Sequence, residues 1–339
     1  MQYLKVSEYV LMATIFLSSC HEGPKSATSE EEAGTEVELK YATLLRMTDY
    51  SDHSVATIIN PWDTTKILQE IHIDKPKENA VCLALPHSGL LEMLGCQSKF
   101  TDMSNIAVPD AEKIADMDAD AILVSPFENS GGYGAIEKLG IDIIQCADYM
   151  ETSPLGRAEW MKLYGRLFGV KDYSDSLFNV VEKRYLHLTD SAATLVAKNG
   201  GKRQSVTFDL ITESTWYVPG GNSTVGHLIN DAGGNYIFTD RNETGSLALS
   251  PETVFDESLN ADVWIIRYCQ PADLTLNQLG RESIHYSKLK AFKNGNVFGC
   301  NLEGSTYFKE TSFRPDILLN DFICIVNSAG SAKYFKKIK

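Results

Sequence analysis

The sequence predicts an α/β protein made of two halves in which strands and helices alternate, joined by one long helix. Three observations predict it. Apolar strand-like runs alternate with amphipathic helical segments, the pattern of a parallel sheet covered by helices. Residues 177–198, "LFNVVEKRYLHLTDSAATLVAK", keep helical periodicity without Pro or Gly and stop at Asn199-Gly200-Gly201, a helix C-cap. Beyond that stop the same strand-helix grammar restarts. With 339 residues, 43% of them hydrophobic, the chain can fill two cores of ordinary domain size. A net charge of -14 excludes a nucleic-acid surface, because phosphate binding needs a basic face.

The first element is not part of the folded body. "MQYLKVSEYVLMATIFLSSC" carries Lys5, then an apolar run from Val10 to Leu17 that is too short to span a bilayer and has secretory dimensions. Leu17-Ser18-Ser19-Cys20 resembles a bacterial lipobox, in which Cys20 is lipidated and becomes the mature N-terminus; the alternative is a buried strand ending in an incidental Cys. Residues 1–20 are therefore expected to be a lipoprotein signal peptide. Residues 21–37, polar and acidic, suit a flexible tether. Residues 38–176 then form the first half and 199–339 the second.

From residue 40, "KYATLLRMTDYSDHSVATIINP" reads as a hairpin turning at Asp49-Tyr50-Ser51-Asp52. Ala80 to Leu85 is a buried strand, followed by a break at Pro86-His87-Ser88-Gly89 and a helix. "DAILVSPFENSGGYGAIEKLG" is a strand, a loop over 125–132 and a helix. In "CADYMETSPLGRAEWMKLYGRLFG", Ser153 is an N-cap and Pro154 suits the first helical position. Trp160, Leu163, Tyr164, Leu167 and Phe168 form a core-facing stripe. In the second half "SVTFDLI", "YIFTD", "ADVWIIRY" and "NVFGCN" read as strands, with a last helix near "RPDILLNDFICIV".

Catalytic motifs fail on inspection. Gly132-Tyr133-Gly134 is followed by Glu137 where a dinucleotide fingerprint needs its third Gly, and "PGGNSTVG" lacks the Lys of a phosphate loop. Seven histidines are scattered without a metal-ligand pair, and no Cys-x-x-Cys occurs, so neither metal nor cofactor is expected. An oxidising compartment permits disulfides among the remaining cysteines, whose pairing spacing does not give; Cys82 and Cys146 suit buried free thiols.

What recurs is an aromatic beside a small polar group at the end of each strand. His87-Ser88, Phe127-Glu128-Asn129, Tyr149-Met150-Glu151, Trp216-Tyr217 with Asn222-Ser223, Arg241-Asn242, Arg267-Tyr268 and Tyr307 are the candidates for a ligand-lining set. Such walls suit a large, partly flat ligand held by contact area. His87 stands where open sheets place ligand-contacting groups, or else caps the following helix.

"FENSGGYGAIEKLGI", "CADYMETSPLGRAEWMKLYGRLFG", "WYVPGGNSTVGHLINDAGGNY" and "FRPDILLNDFI", in that order, resemble the substrate-binding proteins of bacterial ABC importers for iron-siderophore complexes, haem and cobalamin. The resemblance runs from about residue 40 to 327. It implies two Rossmann-like lobes bridged by the 177–198 helix, with a ligand cleft between them that Tyr149 and Glu151 approach. It implies a monomer that makes and breaks no bond and passes a metal chelate to an ABC permease and its ATPase, outside the cytoplasm on a lipid anchor. One acidic residue on each lobe would dock on permease arginines: Glu252 in the second, and Glu128 or Glu137 in the first. Arg241 and Arg267, if they face the cleft, favour anionic chelates, whereas His87 and the aromatics keep haem and cobalamin open. Two other classes remain: a lipid-anchored hydrolase using His87 with Glu128 or Glu151, and an adhesin whose aromatics bind a protein.

Overall fold

Alternating burial builds the first sheet. Leu45 and Met47 are buried while Arg46 between them is exposed, so β2 (Leu45–Asp49) lays one face on the core. It pairs antiparallel with β3 (Ser54–Ile59), through the expected turn, where the Tyr50 N–H donates to the His53 carbonyl at 2.9 Å. β1 (Thr35–Glu36) and β4 (Ile67–Ile73) complete a four-stranded antiparallel meander. The folded body thus begins earlier than residue 38. Thr35 pairs with Asp49 and Glu36 with Thr48, so backbone pairing holds these residues to the body before Glu38.

The computed structural model describes residues 33–105, 111–128 and 132–339. Cys20, the apolar run before it, most of the tether and Asn129 lie outside the described residues. From Gly34 to Lys339 the chain is one compact unit.

The next sheet is wholly parallel, and its two central strands are buried on both faces. Its strands are β5 (Ala80–Cys82), β6 (Phe100–Asp102), β7 (Ala121–Val124) and β8 (Asp142–Gln145), in the order β6-β5-β7-β8. Helix α1 (Leu85–Met93) leaves β5 and α2 (Ala111–Ala115) follows β6. The expected break at Pro86–Gly89 is absent, because Pro86 sits in the first turn of α1, where a missing N–H costs nothing. The helix expected after Gly132 is a single 3₁₀ turn, Ile136–Leu139, stopped by Gly140 at φ 68°.

α3 (Pro154–Glu159) and α4 (Met161–Leu167) carry the aromatic stripe, and Trp160, Leu163, Tyr164, Leu167 and Phe168 are all 0% exposed, as the spacing predicts. The long helix α5 spans Lys171–Lys198, starting earlier than Leu177. Gly169 at φ 73° ends α4 and lets the chain turn straight into it. α5 packs on α3 and α4 before it in the chain and on two helices beyond it, α6 (Thr224–Asp231) and α11 (Pro315–Val326).

The second half holds β9 (Ser205–Phe208), β10 (Ile211–Thr212), β11 (Thr215–Pro219), β12 (Asn235–Tyr236), β13 (Ser246–Leu249), β14 (Val263–Tyr268), β15 (Val297–Asn301) and β16 (Lys336–Lys337). Five of these form a sheet ordered β12-β9-β14-β15-β16, parallel except at β16. β10, β11 and β13 make a small antiparallel one. The remaining helices are α7 (Pro251–Ser258), α8 (Leu276–Glu282), α9 (Lys290–Lys293) and α10 (Tyr307–Thr311). In both parallel sheets the chain reverses direction beside its first strand, at β5/β7 and at β9/β14. Open sheets bind ligands in the crevice beyond such reversals.

Candidate functional site

The stretch "ETSPLGRAEW" combines a clasp with a site residue. The Glu159 carboxylate is fully buried and accepts from the backbone N–H groups of Lys40 (3.0 Å), Tyr41 (2.8 Å) and Ala42 (2.9 Å), and from Lys162 Nζ (2.9 Å). Glu151 takes the next two N–H groups, Thr43 and Leu44, each at 2.9 Å, together with Trp160 Nε1 at 2.9 Å. Successive donors from Lys40 to Leu44, which enter no strand, are satisfied by two carboxylates spaced to reach them. Gly156 is required here, since a Cβ would stand 2.7 Å from the Tyr41 carbonyl oxygen. Ser153 caps α3 as expected, its Oγ accepting from Gly156 N at 3.2 Å. Glu151 is therefore no ligand residue: it is 2% exposed and anchors the meander.

Arg157 belongs to something else. A cavity of about 80 Å³ opens between the halves, with Arg157 and Pro154 on the first-half side and Arg267, Tyr307, Thr224 and Thr311 on the other. Each arginine is held from behind by a carboxylate. Asp148, just after β8, is fully buried and accepts Arg157 Nε at 3.1 Å on one oxygen and His87 Nε2 at 3.0 Å on the other. Burial alone would lift the Asp148 pKa, but the His87 hydrogen bond and the His87 and Arg157 charges outweigh it and hold the carboxyl below its ordinary value of 3.8.

Asp209, just after β9, binds Arg267 through Nε at 2.9 Å and through Nη2. Asp209 adopts φ 60°, a left-handed backbone that Asp tolerates better than most residues. Arg267 also stacks its guanidinium on Phe208 (5.2 Å) and Phe308 (5.8 Å). Burial works against the Arg267 charge, yet Asp209 beside it raises its pKa; burial pushes the Tyr307 phenol up to about 12.

Of the sequence candidates, Arg267 and Tyr307 reach this cavity. His87 and Ser88 do not, because α1 begins early enough to turn both inward. His87 is 2% exposed and positions Arg157 through Asp148, while the Ser88 hydroxyl donates to the Leu85 carbonyl at 3.0 Å inside the helix. The hydrolase pairing loses its base and its Glu151 partner by the same burial. Trp216 is core, 0% exposed, with Nε1 donating to the Phe208 carbonyl. Arg241 lies on the exterior, paired with Glu257 at 2.9 Å. Asn222 accepts from His227 Nε2 at 2.9 Å, and Tyr149 donates its hydroxyl to the Pro126 carbonyl, tying two strand-end loops. Tyr217 and Phe127 are exposed, 45% and 65%, away from the cavity lining. Sequence reading missed Arg157, whose only signal was a charge within an otherwise buried helical turn.

"PGGNSTVG" is a tight backbone crossing. A Cβ at Gly221 would stand 2.3 Å from the Thr239 carbonyl oxygen, and one at Gly226 would stand 2.7 Å from that of Gly221. The cysteines of the described residues are unpaired, with Cys82 and Cys146 0% exposed as expected. No group of side chains suited to a metal ion occurs among the described residues, nor any helix long and apolar enough to cross a membrane.

Asp148 and Asp49 set an acid limit on stability. Burial opposes ionisation of Asp49, but hydrogen bonds from Arg166 (2.8 Å) and Lys171 hold its carboxyl well below the usual range. Lowered folded pKa values give stability that is complete above the unfolded value near 3.8 and is lost as pH falls through the folded values. The thermal midpoint should stay level from about pH 7 to 5 and fall steeply below about 4, with a shallower fall in Asp49→Asn. Thermal unfolding between pH 7 and 3 checks this; equal slopes for both proteins would reject the Asp49 contribution.

Comparison with known proteins extends these observations. Residues 67–302 match a family described as periplasmic binding protein. An uncharacterized lipoprotein of Methanocaldococcus jannaschii is 29% identical over 235 residues, 68% of this chain and 53% of the relative. A second lipoprotein of that organism is 24% identical over 218 residues, 60% of this chain and 52% of its own. The chain spans about half the length of these curated relatives.

Among solved structures, an ABC-type Fe3+-hydroxamate transport protein of Saccharomonospora viridis superposes with TM-score 0.57 at 16% identity, covering 79% of this chain and 97% of its own. A periplasmic heme-binding protein of Pseudomonas aeruginosa gives TM-score 0.60 at 12% identity, covering 77% and 98%. At such identities the likeness is one of fold. The matched span runs from β4 past the end of β15 and takes in every parallel strand of the two sheets and α5, so the chain belongs to the periplasmic binding protein family.

Proposed function

We propose that this protein is the extracytoplasmic binding component of an ABC importer, capturing a metal chelate between its halves and passing it to a permease without chemistry. An iron-siderophore complex is the first choice of ligand; haem and cobalamin are the alternatives. The observation that carries the reading is the cavity between the halves, placed beyond the strand ends of both sheets and lined by fixed polar and aromatic groups. Family membership supports it, as do the Fe3+-hydroxamate and heme titles of proteins that share the fold. The halves would act as lobes, with α5 as a stiff link that limits their motion. A lipid on Cys20 would hold a monomer near its permease and ATPase, in keeping with relatives named as lipoproteins.

Thermal shift of the full chain with ferric siderophores, haemin and cobalamin tests the reading. A stabilisation that saturates at one ligand per protein is expected. No shift with any chelate would reject it.

Docking on the permease would use Glu252, exposed in the first turn of α7, and either Glu128 or Glu137 from the first half. Glu137 already accepts from the Tyr133 N–H at 2.6 Å, and Glu128 is exposed next to Phe127. Glu252→Lys should impair delivery in a reconstituted transporter while leaving chelate affinity within about twofold, because rim charges steer docking and leave a remote cavity alone. Loss of both together would contradict the assignment.

A further inference from the structure

We propose that Arg157 and Arg267 form a two-sided clamp for a carboxylate arm of the ligand, so that the cavity selects chelates with a free carboxylate over neutral ones. The proposal rests on the chelate-binding reading and names the chemistry that the site would take.

Four observations carry it. The cavity is lined by two arginines and by no Asp or Glu, although the whole chain carries a net charge of -14. Asp148 and Asp209 balance the two charges from outside the lining, so the cavity wall itself presents guanidinium N–H donors and no carboxylate to oppose an anionic group.

Each guanidinium is fixed before any ligand arrives. Asp148 takes Arg157 through Nε, so both terminal nitrogens of Arg157 are left over for the cavity that it lines. Asp209 takes Arg267 through Nε and Nη2, and Arg267 also hydrogen-bonds the Tyr307 hydroxyl on the cavity wall, so a carboxylate would meet Arg267 and Tyr307 together. Guanidinium donors held in a plane match the two oxygens of a carboxylate, and little rotamer entropy remains to be lost on binding.

The size of the cavity points the same way. About 80 Å³ falls well short of the roughly 300–1,000 Å³ that encloses a whole drug-sized ligand. It admits one small charged group, with Thr224 and Thr311 on its wall, while the bulk of a chelate stays at the mouth. Finally, the two arginines belong to different halves. One carboxylate bridging them links ligand capture to the arrangement of the halves, and Asp148 extends that link through His87 into α1, which packs on α10 of the other half.

The test uses the full chain in mild detergent and calorimetric titration with ferric citrate, haemin, haem dimethyl ester, ferrioxamine B and iron-free citrate. The wild type should bind ferric citrate or haemin more tightly than ferrioxamine B, which has no carboxylate. Which of those two binds tells a citrate-type carboxylate from a porphyrin propionate. Arg157→Gln, which leaves Asp148 its His87 partner, should weaken that binding on the order of 10-fold or more, and Arg157→Lys should recover part of it. Arg267→Gln should do the same if it folds. The esterified haem supplies the matching loss from the ligand side and needs no variant at all.

Ferric citrate or haemin bound equally well by wild type and Arg157→Gln, or haem ester bound as tightly as haemin, overturns the clamp and leaves the chelate reading standing. Iron-free citrate bound by the wild type and lost in Arg157→Gln, with no chelate bound, upholds the clamp and overturns the chelate reading. Binding of nothing in the panel overturns both.

Discussion

Glu159→Ala is expected to destabilise the fold by about 3–5 kcal/mol, because it strands several buried donors at once. The carboxylate now receives Lys40, Tyr41 and Ala42 through their backbone N–H groups and Lys162 through its ammonium, and no solvent reaches it. Removing one partner of a buried charged pair costs more than the pair itself contributes, since the ammonium left behind stays desolvated. Lys162 retains the Glu38 carbonyl at 2.9 Å, which limits the loss. Glu159→Gln keeps the shape and an acceptor oxygen, so it should cost about half as much. Chemical denaturation of both variants measures the difference. A loss below about 1 kcal/mol for Glu159→Ala would mean that the strand-free segment finds other partners.

Gly89→Ala should cost about 3 kcal/mol and push the halves apart at one edge. A Cβ there would stand 2.2 Å from the Lys309 carbonyl oxygen and 2.5 Å from its Cα, so backbone must yield where a flexible side chain could simply swing away. The same contact carries the Lys309 Nζ ion pair with Glu92 at 2.6 Å and a longer one with Asp102 at 3.7 Å. Those pairs are partly exposed and are worth about 0–1 kcal/mol each. Lys309→Ala is therefore the control. It removes the charges and leaves the backbone approach, and a loss equal to that of Gly89→Ala would contradict the steric account.

Local rules explain how much of this architecture the sequence displays. Strands buried on both faces, such as Ala121–Val124 and the Val263–Ile266 part of β14, show as unbroken apolar runs, and the stripe Trp160 to Phe168 shows its helical spacing. Caps are equally local, so Ser153 and the stop after Lys198 are where the residues place them. Pro86 misled because a proline ends a helix interior but opens a first turn, and only the neighbours in space tell which applies.

Candidate ligand residues fared differently for a physical reason. Trp216, Glu151 and His87 have the chemistry of binding groups, and burial spends that chemistry on the Phe208 carbonyl, on the Thr43–Leu44 backbone and on Asp148. The sequence by itself determined the alternation of strands and helices, the long link, the capped turns and the family, since each depends on neighbours within a few residues or on a pattern along the chain. Only the tertiary structure decided which charges meet. Asp148 lies 61 residues from His87 and Asp209 lies 58 from Arg267, and at such separations the folded packing, not sequence spacing, brings a carboxylate to its imidazole or guanidinium partner.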